Sequence, residues 1–159
     1  MQTIKQAVTE LKNQKIFSSY KADLTLINAF AMIEAGKIIW QLNYLNPKTK
    51  KLVSFTPSKN THTEEQPSLN ENKKLENLNL ENVKIDVNEI LKIVKSLLKK
   101  EYSSETITKK IITLHTIKKE TFWSFTMLTT SLKVLNLRIN ASSGKVISKK
   151  ISSILEFKA

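Results

Sequence analysis

Around Trp40 and again around Trp123, large apolar residues alternate with small polar ones. Trp40, Leu42 and Tyr44 are interleaved with Gln41 and Asn43, and Trp123, Phe125 and Met127 with Ser124 and Thr126. A period of two sends successive side chains to opposite faces, so each run predicts a strand with one apolar and one polar face. Leu135, Leu137 and Ile139, alternating with Asn136, Arg138 and Asn140, predict a further strand of the same kind. A helical period precedes each strand cluster. Val87, Ile90, Leu91, Val94, Leu97 and Leu98 fall on one stripe, with Lys92, Lys95, Lys99 and Lys100 on the remainder, and Ile4, Val8 and Leu11 mark a shorter helix. Asp86, followed three residues later by Glu89, has the form of a capping box. The β-rich stretches 22–33 and 38–45 are joined by EAGK, and 106–117 and 121–128 by KKE, connectors short enough for hairpins.

The two halves match in register, with Trp123 lying 83 positions after Trp40. Without a gap, IIWQLNYLNPKTKKLVSF lies over TFWSFTMLTTSLKVLNLR, which sets NPK over TTS as the turn and Leu52 over Leu135; upstream, FSSY and YSSE nearly coincide. A helix with one apolar stripe and an antiparallel sheet with one apolar face bury each other. The expected fold class is therefore α+β, in two pseudo-repeated units, each an N-terminal helix on an antiparallel β-meander. The first unit is expected over 1–56 and the second over 86–159. Between them, 57–85 reads as a polar linker, because PSKNTHTEEQPSLNEN has two prolines and almost no large apolar residue. Its end restores Leu78, Leu80, Val83 and Ile85 as an apolar arm. Only the second unit has the closing NASSGKV, in which Gly144 can take the positive φ of a tight turn and Val146 starts a last strand.

A chain of 159 residues with 40% hydrophobic content can bury a core in one ordinary domain or two small ones. No window approaches the roughly 18 apolar residues that cross a bilayer, and MQTIKQAVTELKNQK is amphipathic and charged, without the apolar region of a signal. The expectation is a cytoplasmic protein, or the soluble part of an exported or membrane-anchored precursor. The absence of cysteine excludes disulfides, thiolate nucleophiles and cysteine metal sites. A formal net charge of +12 points to an anionic partner or surface: nucleic acid, acidic lipid or an anionic wall polymer. Yet every basic residue except Arg138 is lysine, whereas base reading favours the planar guanidinium, so no specific nucleic-acid recognition is expected. The abundance of Asn and Ile favours the plainer account, a coding bias toward AT-rich codons that fills solvated surface with lysine.

Candidate chemistry is sparse. His62 falls in the linker and His115 in a strand, with no HExxH or cysteine pattern beside either, so no metal is expected. The serine pairs at 18–19, 103–104 and 142–143 read as turns and caps, and none stands in G-x-S-x-G. Two glycines, Gly36 and Gly144, cannot build a phosphate-cradling loop or a dinucleotide fingerprint. Glu64 and Glu65 fall in the linker, Asp86 and Glu89 at a helix start, Asp23 and Glu34 at the ends of the first hairpin. No catalytic residue and no cofactor is expected, and Trp40 and Trp123 read as core. The candidate binding surface is the polar sheet face: Gln41, Asn43, Ser124, Thr126, Asn136 and Arg138. Helices would cover the opposite face, and free strand edges can accept a partner's strand.

The order of helix, hairpin, Trp123-led strand, strand to Ile139 and closing Asn140-Ala141-Ser142-Ser143-Gly144-Lys145-Val146 resembles the PepSY domains, whose closing run has the form D-x-x-T-G-K/E-V. Asn140 stands where that family has Asp and Ser143 where it has Thr; both can cap a turn. The resemblance spans 87–150, and 3–56 as a degenerate copy lacking the glycine turn. The chain is thus similar to small tandem PepSY-like (cystatin-like) proteins of bacterial envelopes. The resemblance implies a non-enzymatic module at the cell surface that modulates a peptidase or a wall-associated protein through a protein or peptide contact. Two alternatives stay open: a cytosolic basic binding protein for nucleic acid or an acidic protein partner, and a small enzyme of NTF2-like shape with a cavity between sheet and helix.

Overall fold

The computed structural model describes residues 1–20, 23–63, 66–67 and 75–157. Glu64, Glu65 and 68–74 of the polar stretch lie outside the described residues. Helix α1 (Ile4–Lys12) begins at Thr3, whose hydroxyl accepts the Gln6 amide at 3.2 Å while the Gln6 side chain accepts the Thr3 amide at 2.8 Å. A single turn, α2 (Lys15–Ser18), follows. Helix α3 (Val87–Glu101) opens on Asp86, whose carboxylate accepts the amides of Asn88 and Glu89. The reciprocal capping box is thus seen at α1, where the spacing Thr3–Gln6 carries it.

The strands are β1 (Thr25–Glu34), β2 (Lys37–Leu45), β3 (Lys51–Thr56), β4 (Thr61–His62), β5 (Gln66–Pro67), β6 (Ile107–Ile117), β7 (Glu120–Thr129), β8 (Lys133–Asn140) and β9 (Val146–Ser153). They form one nine-stranded antiparallel sheet in the order β4-β3-β2-β1-β6-β7-β8-β9, with β5 also on β3, so the fold is α+β. The halves meet where β1 pairs with β6, centred on Phe30 opposite Thr113. Part of the polar stretch read as linker belongs to this sheet. After a 3-10 turn at Pro57–Lys59 the chain reverses at Asn60 (φ +49°), and Thr61 and His62 pair with Thr56 and Phe55. The apolar arm at the end of the same stretch is also docked: Leu78 and Val83 are buried, and the amides of Lys84 and Ile85 donate to the Ala141 carbonyl.

Both long hairpins turn through two residues of positive φ, Ala35-Gly36 (+49°, +75°) and Lys118-Lys119 (+49°, +67°), the I′ conformation whose twist matches the strands. Two lysines tolerate it poorly, and the Glu76 carboxylate closes the turn by accepting both amides, at 2.6 and 2.9 Å. At the closing turn the Asn140 side chain accepts the amides of Ser142 and Ser143, and Gly144 takes φ +74°.

One core fills the space between the sheet and the helices. Ile4, Ala7, Val8 and Leu11 of α1 and Val87, Ile90 and Val94 of α3 are buried with Trp40, Leu42, Trp123, Phe125, Met127, Leu135 and Leu137. The Trp40 indole N–H donates to Gln2 O and that of Trp123 to Ile85 O, each at 3.0 Å, and both anchors precede a helix cap by one residue. The expected alignment of Leu52 with Leu135 fails at the third strand of each half. Tyr44 pairs with Val53 and Met127 with Leu135, so Val53, not Leu52, is the counterpart of Leu135. The β2–β3 connection carries one residue more, and a slip of one would turn every side chain to the wrong face. Val53 and Leu135 are fully buried, whereas Leu52 is half-buried.

Candidate functional site

The strand parity that buries Trp40 and Trp123 leaves a second face pointing away from the helices. Antiparallel pairing sorts that face into rows running across the strands. One row reads Ile39, Met32, Ile111, Thr126, Asn136, Lys150 from β2 to β9. The next reads Gln41, Phe30, Thr113, Ser124, Arg138, Ser148, and a third reads Ser54, Asn43, Asn28, His115, Phe122, Asn140. All six residues singled out from the sequence lie on this face, split into two groups by the central strands β1 and β6.

In the first group Asn43 is a strut. It is 4% exposed, donates to Asn28 Oδ1 at 2.6 Å, and its own Oδ1 accepts from Gln41 at 3.1 Å and from the Ser54 hydroxyl. Gln41 is exposed beside it. In the second group the Thr126 hydroxyl donates to Asn136 Oδ1 at 3.1 Å, and both are exposed. The Arg138 guanidinium stacks 5.7 Å over the Phe122 ring. Ser124 Oγ and His115 Nδ1 are buried and find no hydrogen-bond partner among the described residues. Burial, and secondarily the Arg138 charge, hold the His115 imidazole below its usual pKa. No group of three or more His, Asp or Glu side chains among the described residues is placed to hold a metal ion.

What the alternation did not reveal is the apolar centre between the two groups. Phe30 is 38% and Met32 42% exposed, and Ile39 and Ile111 beside them are half-buried. With Gln41, Thr56 and Lys59 they line a depression of about 350 Å³. The signal stands in the β1 sequence NAFAMI, whose small and large residues have exchanged their usual faces: Ala29 and Ala31 point inward, fully buried. The reason lies in the core. Strands β2 and β7 are separated by two others, roughly 14 Å at three interstrand spacings, yet the Trp40 and Trp123 rings lie 6.2 Å apart. The indoles lean toward one another over the central strands, and Ala29 and Ala31 leave room for them.

No family model matches the chain, and no curated protein matches it. A crystal structure of a protein described as a "putative lipoprotein", from Clostridium difficile 630, superposes with a TM-score of 0.60 at 11% identity, covering 94% of this chain and 93% of that one. The likeness extends over nearly the whole of both chains and is one of fold. No helix among the described residues is long and apolar enough to cross a membrane.

Proposed function

We propose that the chain is a non-enzymatic binding or regulatory protein of the bacterial cell envelope, which modulates a peptidase or a wall-associated protein through the open face of its sheet. The observation that carries this is the asymmetry of the two faces. One is sealed by α1 and α3 over a shared core, and the other presents Gln41, Phe30, Met32, Thr126, Asn136 and Lys150 to solvent. A small enzyme of this shape would need a polar cavity between sheet and helices. That layer is occupied by Trp40, Trp123, Leu42, Ile90, Leu114 and Phe125, each at most 1% exposed. The envelope assignment draws on the fold shared with the Clostridium difficile protein and on the PepSY-like closing turn at 140–146.

The same reading takes the halves as copies of one PepSY-like unit. Its support is the recurrence at a spacing of 83 of the helix caps Thr3 and Asp86, the anchored indoles Trp40 and Trp123, and the hairpin turns Ala35-Gly36 and Lys118-Lys119. The test places a photo-crosslinking residue at Gln41 or Asn136 of the full-length protein in its native cell, with Lys95 on α3 as control. Adducts with an extracytoplasmic protein from the two sheet positions are expected. Adducts with cytosolic proteins or nucleic acid, or from Lys95 alone, would overturn the assignment.

A further inference from the structure

The open face of an antiparallel sheet is ordinarily polar, and here its centre is not. Phe30 and Met32, neighbours on the innermost strand pair, hold 38% and 42% of their surface in water, and Ile39 and Ile111 flank Met32 on either side. Core packing accounts for the inward alanines of β1 but asks nothing apolar of the outward positions, where threonine or serine would fit a strand as well. The charged side chains in these rows and in the lining of the depression are basic, and the first carboxylate along β1 is Glu34, two residues beyond Met32. Lys59 rims the depression on the β3 side, and on the far side Arg138 stands in the second row on β8 and Lys150 ends the first on β9. Among the described residues Arg138 and Lys150 form no ion pair, and no carboxylate lies in the three rows.

We infer that this centre is a docking groove for an acidic polypeptide segment with apolar anchors, which seats its apolar side chains on Phe30, Met32, Ile39 and Ile111 and its carboxylates against Lys59, Arg138 and Lys150. The inference rests on the open face being the partner-binding surface and narrows it to one class of partner. Charge selects that class. A second copy would bring its own Lys59, Arg138 and Lys150 to a symmetric contact and add another net charge of +12. A recess walled by Gln41, Thr56 and Lys59 fits inserted side chains. Met and Phe supply an adaptable apolar floor. The row from Ile39 to Lys150 crosses five interstrand spacings, roughly 24 Å, the reach of about eight extended residues.

The test uses the full chain and a fluorescent peptide of roughly ten residues alternating Glu with Leu and Phe, followed by anisotropy at low and high salt. Two controls are the peptide with Lys for Glu and the peptide with Ser for Leu and Phe. The acidic-apolar peptide is expected to bind, with affinity falling about tenfold or more in Phe30→Ser/Met32→Ser and in Lys59→Glu/Lys150→Glu, and unchanged in Lys95→Glu. These positions are exposed, and circular dichroism and melting of each variant check that the fold persists. Equal binding of either control peptide, or affinity indifferent to the groove variants, overturns the inference. So does binding of phosphatidylglycerol vesicles, or dimerisation in sedimentation, that depends on Phe30 and Met32 while the peptide stays unbound. Crosslinks from Gln41 or Asn136 to an extracytoplasmic protein, with no peptide binding, would retain the general function and remove the acidic class. Peptide binding without such crosslinks would do the reverse.

Discussion

Gly144 is held at φ +74°, and a Cβ there would come within 3.3 Å of Ile93 Cδ1 on α3 and 3.4 Å of Ile85 Cδ1. The turn therefore asks for glycine twice, through its backbone and through the space above it. Gly144→Ala is expected to destabilise the protein by about 1–3 kcal/mol, read as a lower denaturation midpoint at unchanged slope. His115 makes a prediction of a different kind. Its folded-state pKa lies below the ordinary value because burial, then Arg138, disfavour the imidazolium. As pH falls the unfolded chain takes the proton first, so this contribution is whole above about pH 6.5 and declines below it. Unfolding free energy should fall from about pH 7.5 to about pH 5.5 more steeply in the wild type than in His115→Gln; equal slopes would show that the imidazole is not the group responsible. Both residues were partly legible. Gly144 announced itself because a lone glycine before Val146 has few other uses, whereas burial of His115 depends on Phe122 and Arg138, which reach it across neighbouring strands.

At the scale of elements, the two Trp-led hairpins differ most at their tips. Ala35-Gly36 supplies glycine at the second left-handed position, while Lys119 adopts φ +67° with a side chain attached. Lys119→Gly should therefore stabilise the protein by about 0.5–1 kcal/mol. Glu76→Gln should destabilise it by about 1 kcal/mol or more, because the amide side chain offers one oxygen where the carboxylate offers two to the paired N–H groups. Denaturant midpoints check both; a neutral Glu76→Gln would mean that water closes the turn as well as the carboxylate does. The two long helices and the long strands were readable, since periods of two and 3.6 are local, whereas α2, β4 and β5 are too short to show a period. Two features were not. Register beyond the second strand of the first half depended on one extra residue in a turn, which no propensity marks. The inward placing of Ala29 and Ala31 followed from indoles meeting over the central strands, a contact between residues 83 positions apart.

At the scale of the molecule, the polar stretch after Pro57 suggested two units joined by a spacer, and nothing local announces that β1 and β6 will pair. Five residue pairs, from Asn28 opposite His115 to Met32 opposite Ile111, make the sheet continuous, and the two indoles make the core continuous on its inner side. Elements that share both a ladder and a core are expected to unfold together. In a Trp123→Phe background, Trp40 is the one remaining tryptophan, and its emission reports unfolding around β2. Leu137→Ala then removes a buried side chain from β8, four strands away from β2 in the sheet order, at a cost of about 2–5 kcal/mol. If the sheet is one cooperative structure, the Trp40 transition moves to lower denaturant by the full amount and stays coincident with far-ultraviolet circular dichroism. If the halves are independent, Trp40 keeps its midpoint while the dichroism splits into two steps. The groove requires the first outcome, because Ile39 belongs to one half, Ile111 to the other, and their spacing is fixed only while β1 and β6 remain paired.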